Sequence, residues 1–210
     1  MKGAGPGRGV FRVLVALAPT IFAWPALRQA VESRMALQML LQFPLLLASG
    51  WAVSMMLGDR LPSPLLARWF DRIDAGGLLG ATVVSCVSAF WMLPAALDAS
   101  LLSEPMRMAK FASWWLAGAA WGRSAPRLAD EAAAFFGGNL AWMLATAGLL
   151  YQAGESRLCV GYLLNDQVAA GQGLIVAALI VGAATVHRLL RGAATEPARA
   201  AAGPREAVPP

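Results

Sequence analysis

Residues 35–57 read MALQMLLQFPLLLASGWAVSMML, 23 residues without one formal charge. At about 1.5 Å per residue a helix of that length covers roughly 35 Å, enough to cross the ~30 Å hydrocarbon core of a bilayer. Further apolar stretches follow it along the chain. The expected fold class is therefore all-α: a polytopic membrane helix bundle whose solvent is lipid.

Composition agrees. Of 210 residues, 58% are hydrophobic and only 14% charged, where a soluble domain carries about a quarter charged residues. The mean hydropathy is +0.57. The charges fall between the apolar stretches, and no connection is long enough to fold a soluble domain of its own. A net charge of +5 would suggest nucleic acid in a soluble protein. In a polytopic one, Lys and Arg set topology and meet anionic headgroups. No basic-aromatic nucleic-acid motif is present, so membrane lipid is the expected partner and nucleic acid is not. The two cysteines, Cys86 and Cys159, form no CxxC pair. Cys86 lies in an apolar stretch and reads as a small buried packing residue. Cys159 lies in a polar connection.

Along the chain, residues 1–12 are Gly-rich and basic and are expected to be flexible. Residues 13–190 form the bundle domain, and the Ala/Pro/Gly/Arg/Glu-rich tail 191–210 is expected to be disordered. Residues 13–27 are apolar, with Pro19 and Pro25 inside. They fit either a kinked first span or the apolar part of a signal peptide; the poor cleavage site after them favours a retained anchor. The second span is the opening stretch, with a kink expected at Pro44. Residues 65–74 (LLARWFDRID) are amphipathic and suit the headgroup layer. Spans three to six are expected near 77–97, 105–122, 132–151 and 168–190. Gly118 and Gly122 make a GxxxG pair that permits close helix approach. Asn139, in mid-span, is expected to hydrogen-bond between helices.

With about six spans, 12 of the 17 Lys and Arg fall on one face and five on the other. The richer face is cytoplasmic, which puts both termini inside a bacterial inner membrane. That orientation sends Glu32, Met35, Met39, Trp91, Met92, Asp98, Met106, Met108, Cys159, Tyr162 and Asp166 toward the outer face. Thioether and thiolate ligands suit Cu(I), and Met35 and Met39, four apart, share a helical side. The plain alternative is that methionine fills gaps in a helical core. Arg107 and Lys110 are expected to snorkel to the headgroups, and His187, the single histidine, to join the cytoplasmic positive set. There is no Ser-His-Asp set, HExxH, phosphate loop or CxxCH, so no enzymatic activity is expected. The spans hold almost no ionisable groups for an ion path.

Four segments, taken in order, resemble the CtaG-type cytochrome c oxidase assembly factors. Met35-Ala-Leu-Gln-Met-Leu-Leu-Gln-Phe-Pro resembles that family's helix with two histidines four apart ahead of a Leu-rich run and a Pro. Trp91-Met-Leu-Pro-Ala-Ala-Leu-Asp98 resembles its Trp-His-x-Pro…Asp segment. Phe111-Ala-Ser-Trp-Trp-Leu-Ala-Gly118 resembles the following helix, and Asp166-Gln167…Ala170-Gly171…Leu174-Ile175 its Asp-Gln-x-x-Ala-Gly-Leu-Ile signature. Where the family shows histidine, this chain has Met35, Met39 and Met92; in the fourth helix the matching positions fall near Arg107 and Phe111.

The resemblance implies a role in assembling a haem-copper oxidase, with copper handled on the outer face. The candidate Cu(I) ligands are Met35, Met39 and Met92, with Met106, Met108 and Cys159 in reserve. Asp98 and Asp166 stand as supporting or helix-end residues. A second reading is a metal-free scaffold that docks respiratory oxidase subunits through small-residue faces such as Gly118 to Gly122. A third is a small-solute permease.

Overall fold

The computed structural model describes residues 6–57, 64–153 and 162–201. Among these residues every regular element is helical. Helix α1 (Pro6–Leu17) passes into a 3-10 turn (Ala18–Ala23), and α2 (Pro25–Glu32) leaves at an 87° bend. Pro25 cannot continue the helix before it, but suits the first turn of the next. Helix α3 (Met35–Leu57) is the charge-free stretch, and α4 (Pro64–Ile73) is the amphipathic segment. Then come α5 (Leu78–Trp91), α6 (Pro94–Leu102), α7 (Glu104–Ser124), α8 (Asp130–Ala153) and α9 (Leu164–Ala201).

Three helices are long and apolar enough to cross a membrane: α3, α8 and residues 164–194 of α9. The number rises to five if each bent pair, α1 with α2 and α5 with α6, is one span. Helix α7 falls short on composition because it carries Glu104, Arg107, Lys110 and Arg123. It nevertheless occupies the middle of the bundle, packed on α3, α5 and α6.

Several boundaries differ from those the composition suggested. The third apolar segment stops at Trp91 instead of running to Leu97: the chain turns 77° before Pro94, and α6 leaves at that angle. Pro94 disfavours helical backbone at Leu93, which is extended (φ −74°, ψ 125°). Helix α9 begins at Leu164 and continues past Leu190 to Ala201. Helix α1 starts at Pro6, inside the stretch expected to be flexible. In α3 the distortion attributed to Pro44 appears one turn earlier, as a π-turn over Gln38–Gln42. The Phe43 N–H donates to the Gln38 carbonyl, five residues back. A wider turn there relieves the carbonyl that the Pro44 ring would otherwise strike.

Close helix approach comes from glycine. A Cβ on Gly118 would collide with the Leu47 carbonyl, one on Gly50 with the Trp115 carbonyl, and one on Gly122 with the Ser54 hydroxyl. The α3–α7 seam thus rests on main chain against main chain, as lipid-solvated bundles require when apolar burial no longer drives association. The α8–α9 hairpin repeats the device: Cβ atoms on Gly148 or Gly171 would come within 2.7 or 2.6 Å of the other's carbonyl oxygen. The Gly118–Gly122 face is therefore spent inside the chain and is not a free docking face.

Candidate functional site

The helices run alternately between two ends of the bundle, and polar side chains collect at both. At one end, Glu32, the last residue of α2, meets Lys110 of α7 with Nζ 2.8 Å from Oε1. The Lys110 side chain is fully buried and that of Glu32 is 6% exposed. Snorkelling, expected of Lys110, does not occur. One and a half turns into α7, with α2 folded over it, its ammonium finds a carboxylate before it finds water. The ammonium also lies over the Phe111 ring, 5.5 Å from its centre.

Further hydrogen bonds gather at this end. The Lys110 carbonyl accepts from the Ser113 hydroxyl at 3.1 Å, and Ser113 accepts from the Trp91 indole N–H at 2.8 Å. The Tyr151 hydroxyl donates to the Met92 carbonyl at 2.6 Å, just past the C-terminal end of α5. Gln167 donates to the Tyr151 carbonyl at 3.0 Å. The Asp166 carboxylate accepts from the Met35 N–H, and Tyr162 donates to the Gln38 side-chain oxygen. Asp166 thus caps the start of α3 from a distant helix, where the unsatisfied N–H groups and the helix dipole favour an anion. Six helices are tied together at this end.

Met35 (0% exposed) and Met39 (5%) lie in the main hydrophobic core, with Phe43, Trp91, Trp114 and Tyr162 in the same cluster. Met92 and Met106 pack against that cluster. Met108 points away and is 60% exposed. Cys159 lies outside the described residues. Asp98 sits half-buried on α6, and Asp166 serves α3 as above. Four of the six sulfur candidates therefore belong to or pack against the same hydrophobic cluster. Among the described residues no group of three His, Cys, Asp or Glu side chains is placed to hold a metal ion, so any metal here would rest on thioethers.

Three expectations about single residues are corrected. Cys86 is exposed on α5 rather than buried. Asn139 faces outward from α8 instead of bridging helices. Lys110 is interior, as described.

Sequence reasoning overlooked Gln38 and Gln42. Both are fully buried on the π-turn, and among the described residues the Gln38 amide nitrogen and both polar atoms of Gln42 find no hydrogen-bond partner. The indole N–H of Trp114, stacked on Phe43 at 4.8 Å between ring centres, also finds none among the described residues. Two glutamines four apart in a charge-free run were a readable signal, because polar groups in a span are costly unless they have a purpose.

The opposite end is built around Asp74. Its carboxylate accepts from the Leu79 N–H (3.1 Å), the Ser124 hydroxyl (3.0 Å) and the Arg127 guanidinium. Gly76 and Gly77, at φ 65° and 77°, turn the chain there; a side chain on Gly77 would also strike the Ser124 carbonyl. Nearby, Arg188 of α9 pairs with Asp130 at 2.9 Å and donates to the Leu128 carbonyl at 2.7 Å.

No family model, curated protein or solved structure matches this chain.

Proposed function

We propose that this is a six-span protein of a bacterial inner membrane, with both termini cytoplasmic, that serves in the maturation of a haem-copper oxidase. Met35, Met39 and Met92 take Cu(I) at its outward end, with Met106 beside them. The observation that supports the reading is that Met35 and Met39 belong to one hydrophobic cluster against which Met92 and Met106 pack, near the end that the Lys and Arg asymmetry assigns to the outside. Thioethers retain Cu(I) where imidazoles would also take Cu(II) or zinc. The chain has no catalytic role in this reading: it holds and passes on an ion.

A metal-free scaffold is the second reading. It is favoured by the near-complete burial of Met35 and Met39 among aromatic rings, which packing alone explains.

One titration separates the two. The purified protein, kept reduced, is titrated with Cu(I) against a competing chelator. The copper reading expects one equivalent bound, and at least a tenfold loss of affinity in the Met35→Leu, Met39→Leu, Met92→Leu triple variant. Near-equal volumes should limit the cost in stability to about 1.5 kcal/mol per site, so the variant remains folded for comparison. Equal behaviour of the two proteins refutes the copper site, and co-purification with oxidase subunits regardless of copper then supports the scaffold. A reporter fused to the carboxyl end that is active only in the periplasm would refute the topology.

A further inference from the structure

Two apolar cavities that share lining residues lie between the α8–α9 hairpin and α3, α5 and α7, forming a groove. Its deep part is an apolar cavity of about 220 Å³, bounded at one end by Met39, Met92 and Trp114. Leu47, Val84, Leu140 and Val181 line both this part and a second apolar cavity of about 320 Å³ toward the Asp74 end. That second cavity reaches Ala184 and Arg188, which also line a polar recess with His187, Arg191 and Asp130. The groove is therefore apolar along most of its length and opens at one mouth onto a recess lined by Arg188, Arg191, His187 and Asp130, with Arg188 paired to Asp130.

From Leu174 in the deep part to Arg188 at the mouth is 14 residues along α9, or about 21 Å. One leaflet of a bilayer is about 15 Å of hydrocarbon. The apolar stretch is thus long enough for a full lipid chain, and its lining offers that chain nothing but apolar and small side chains over the shared middle. At the mouth, basic groups between helices at the membrane surface are the ordinary recognition chemistry for an anionic headgroup.

We infer that this groove binds one anionic phospholipid, an acyl chain lying between the hairpin and α3–α5 and the phosphate held at Arg188 and Arg191. The bound lipid would fill the space that the hairpin leaves against α5. The site does not rest on the copper reading: its phosphate mouth lies at the opposite end of the bundle, and its deep limit meets two of the three proposed copper ligands, Met39 and Met92.

The test uses full-length protein, stripped of lipid in detergent and supplied with phosphatidylglycerol or phosphatidylcholine of the same acyl chains. Native mass spectrometry should show one phosphatidylglycerol retained, with at least a tenfold preference over phosphatidylcholine. Ala184→Trp, at an exposed position between groove and recess, should abolish retention. Arg191→Gln, on the exposed surface, should reduce the preference at least threefold and still leave a folded protein if the tryptophan variant does not express. Inorganic phosphate alone should not raise the melting temperature. Equal retention of both lipids, retention unaffected by either variant, or stabilisation by phosphate alone would each overturn the inference.

Discussion

The Glu32–Lys110 pair and the Asp74 cluster are both ion pairs at the ends of the same bundle, yet they are built on different terms. Lys110 is wholly enclosed and Glu32 nearly so, and a single contact joins them. Asp74 is equally enclosed, but its carboxylate has three donors, and Arg127 is 40% exposed. The first pair is mutual: among the described residues each charge is held by the other, and in a low-dielectric interior each would be costly alone. The second is a carboxylate solvated by the protein, with an arginine that keeps one side in water. The lesson is that burial of a charge says little about its vulnerability until its alternative partners are counted.

The largest test of that contrast is to remove half of the enclosed pair. Glu32→Gln or Lys110→Met should each cost about 3–5 kcal/mol, because an uncompensated charge or polar group stays inside. The double variant Glu32→Leu with Lys110→Met should recover most of it. Thermal unfolding in detergent measures all three, and a double variant no better than the singles would show that the pair is not the unit.

Next in size is the seam that both ends share. Gly118→Val forces a methyl-bearing carbon into the Leu47 carbonyl and should cost about 1–3 kcal/mol through overpacking. Gly138→Ala, with nothing near its Cβ position, should leave the melting temperature within about a degree or raise it slightly, since alanine is the better helix former. Comparable losses at the two glycines would refute the close-packed α3–α7 seam.

The smallest effect is expected at the exposed partner of the other cluster. Arg127→Ala should cost no more than about 1 kcal/mol, because the solvent-facing guanidinium is screened and the Asp74 carboxylate keeps Ser124 and the Leu79 N–H. A loss as great as that of Glu32→Gln would abolish the distinction between the two ends.

Much of the architecture could be read from residue order. The charge-free run of α3, the amphipathic α4 and the small-residue pair of α7 each carry a local signal, and each was found near its expected place. The bend before Pro94 was not placed correctly, because hydropathy does not change there: apolar residues continue to Leu97 while the backbone turns. At the candidate site, Met35 and Met39 were visible as a spaced pair, but their burial in one core with Trp91, Trp114 and Tyr162 was not. Spacing along one helix carries no information about what a distant helix brings opposite.

The sequence by itself determined that this chain is helical, that long apolar stretches recur in it, and where most of its charges lie relative to them. Those properties follow from local chemistry: hydrocarbon admits only backbone that satisfies its own hydrogen bonds, and charges collect where apolar runs end. Tertiary structure alone decided that Lys110 turns inward to Glu32, that Asp166 caps α3 across 131 positions of chain, and that Gly118 is consumed by contact with Leu47. Each depends on two segments meeting in space, and no periodicity within either segment specifies the partner.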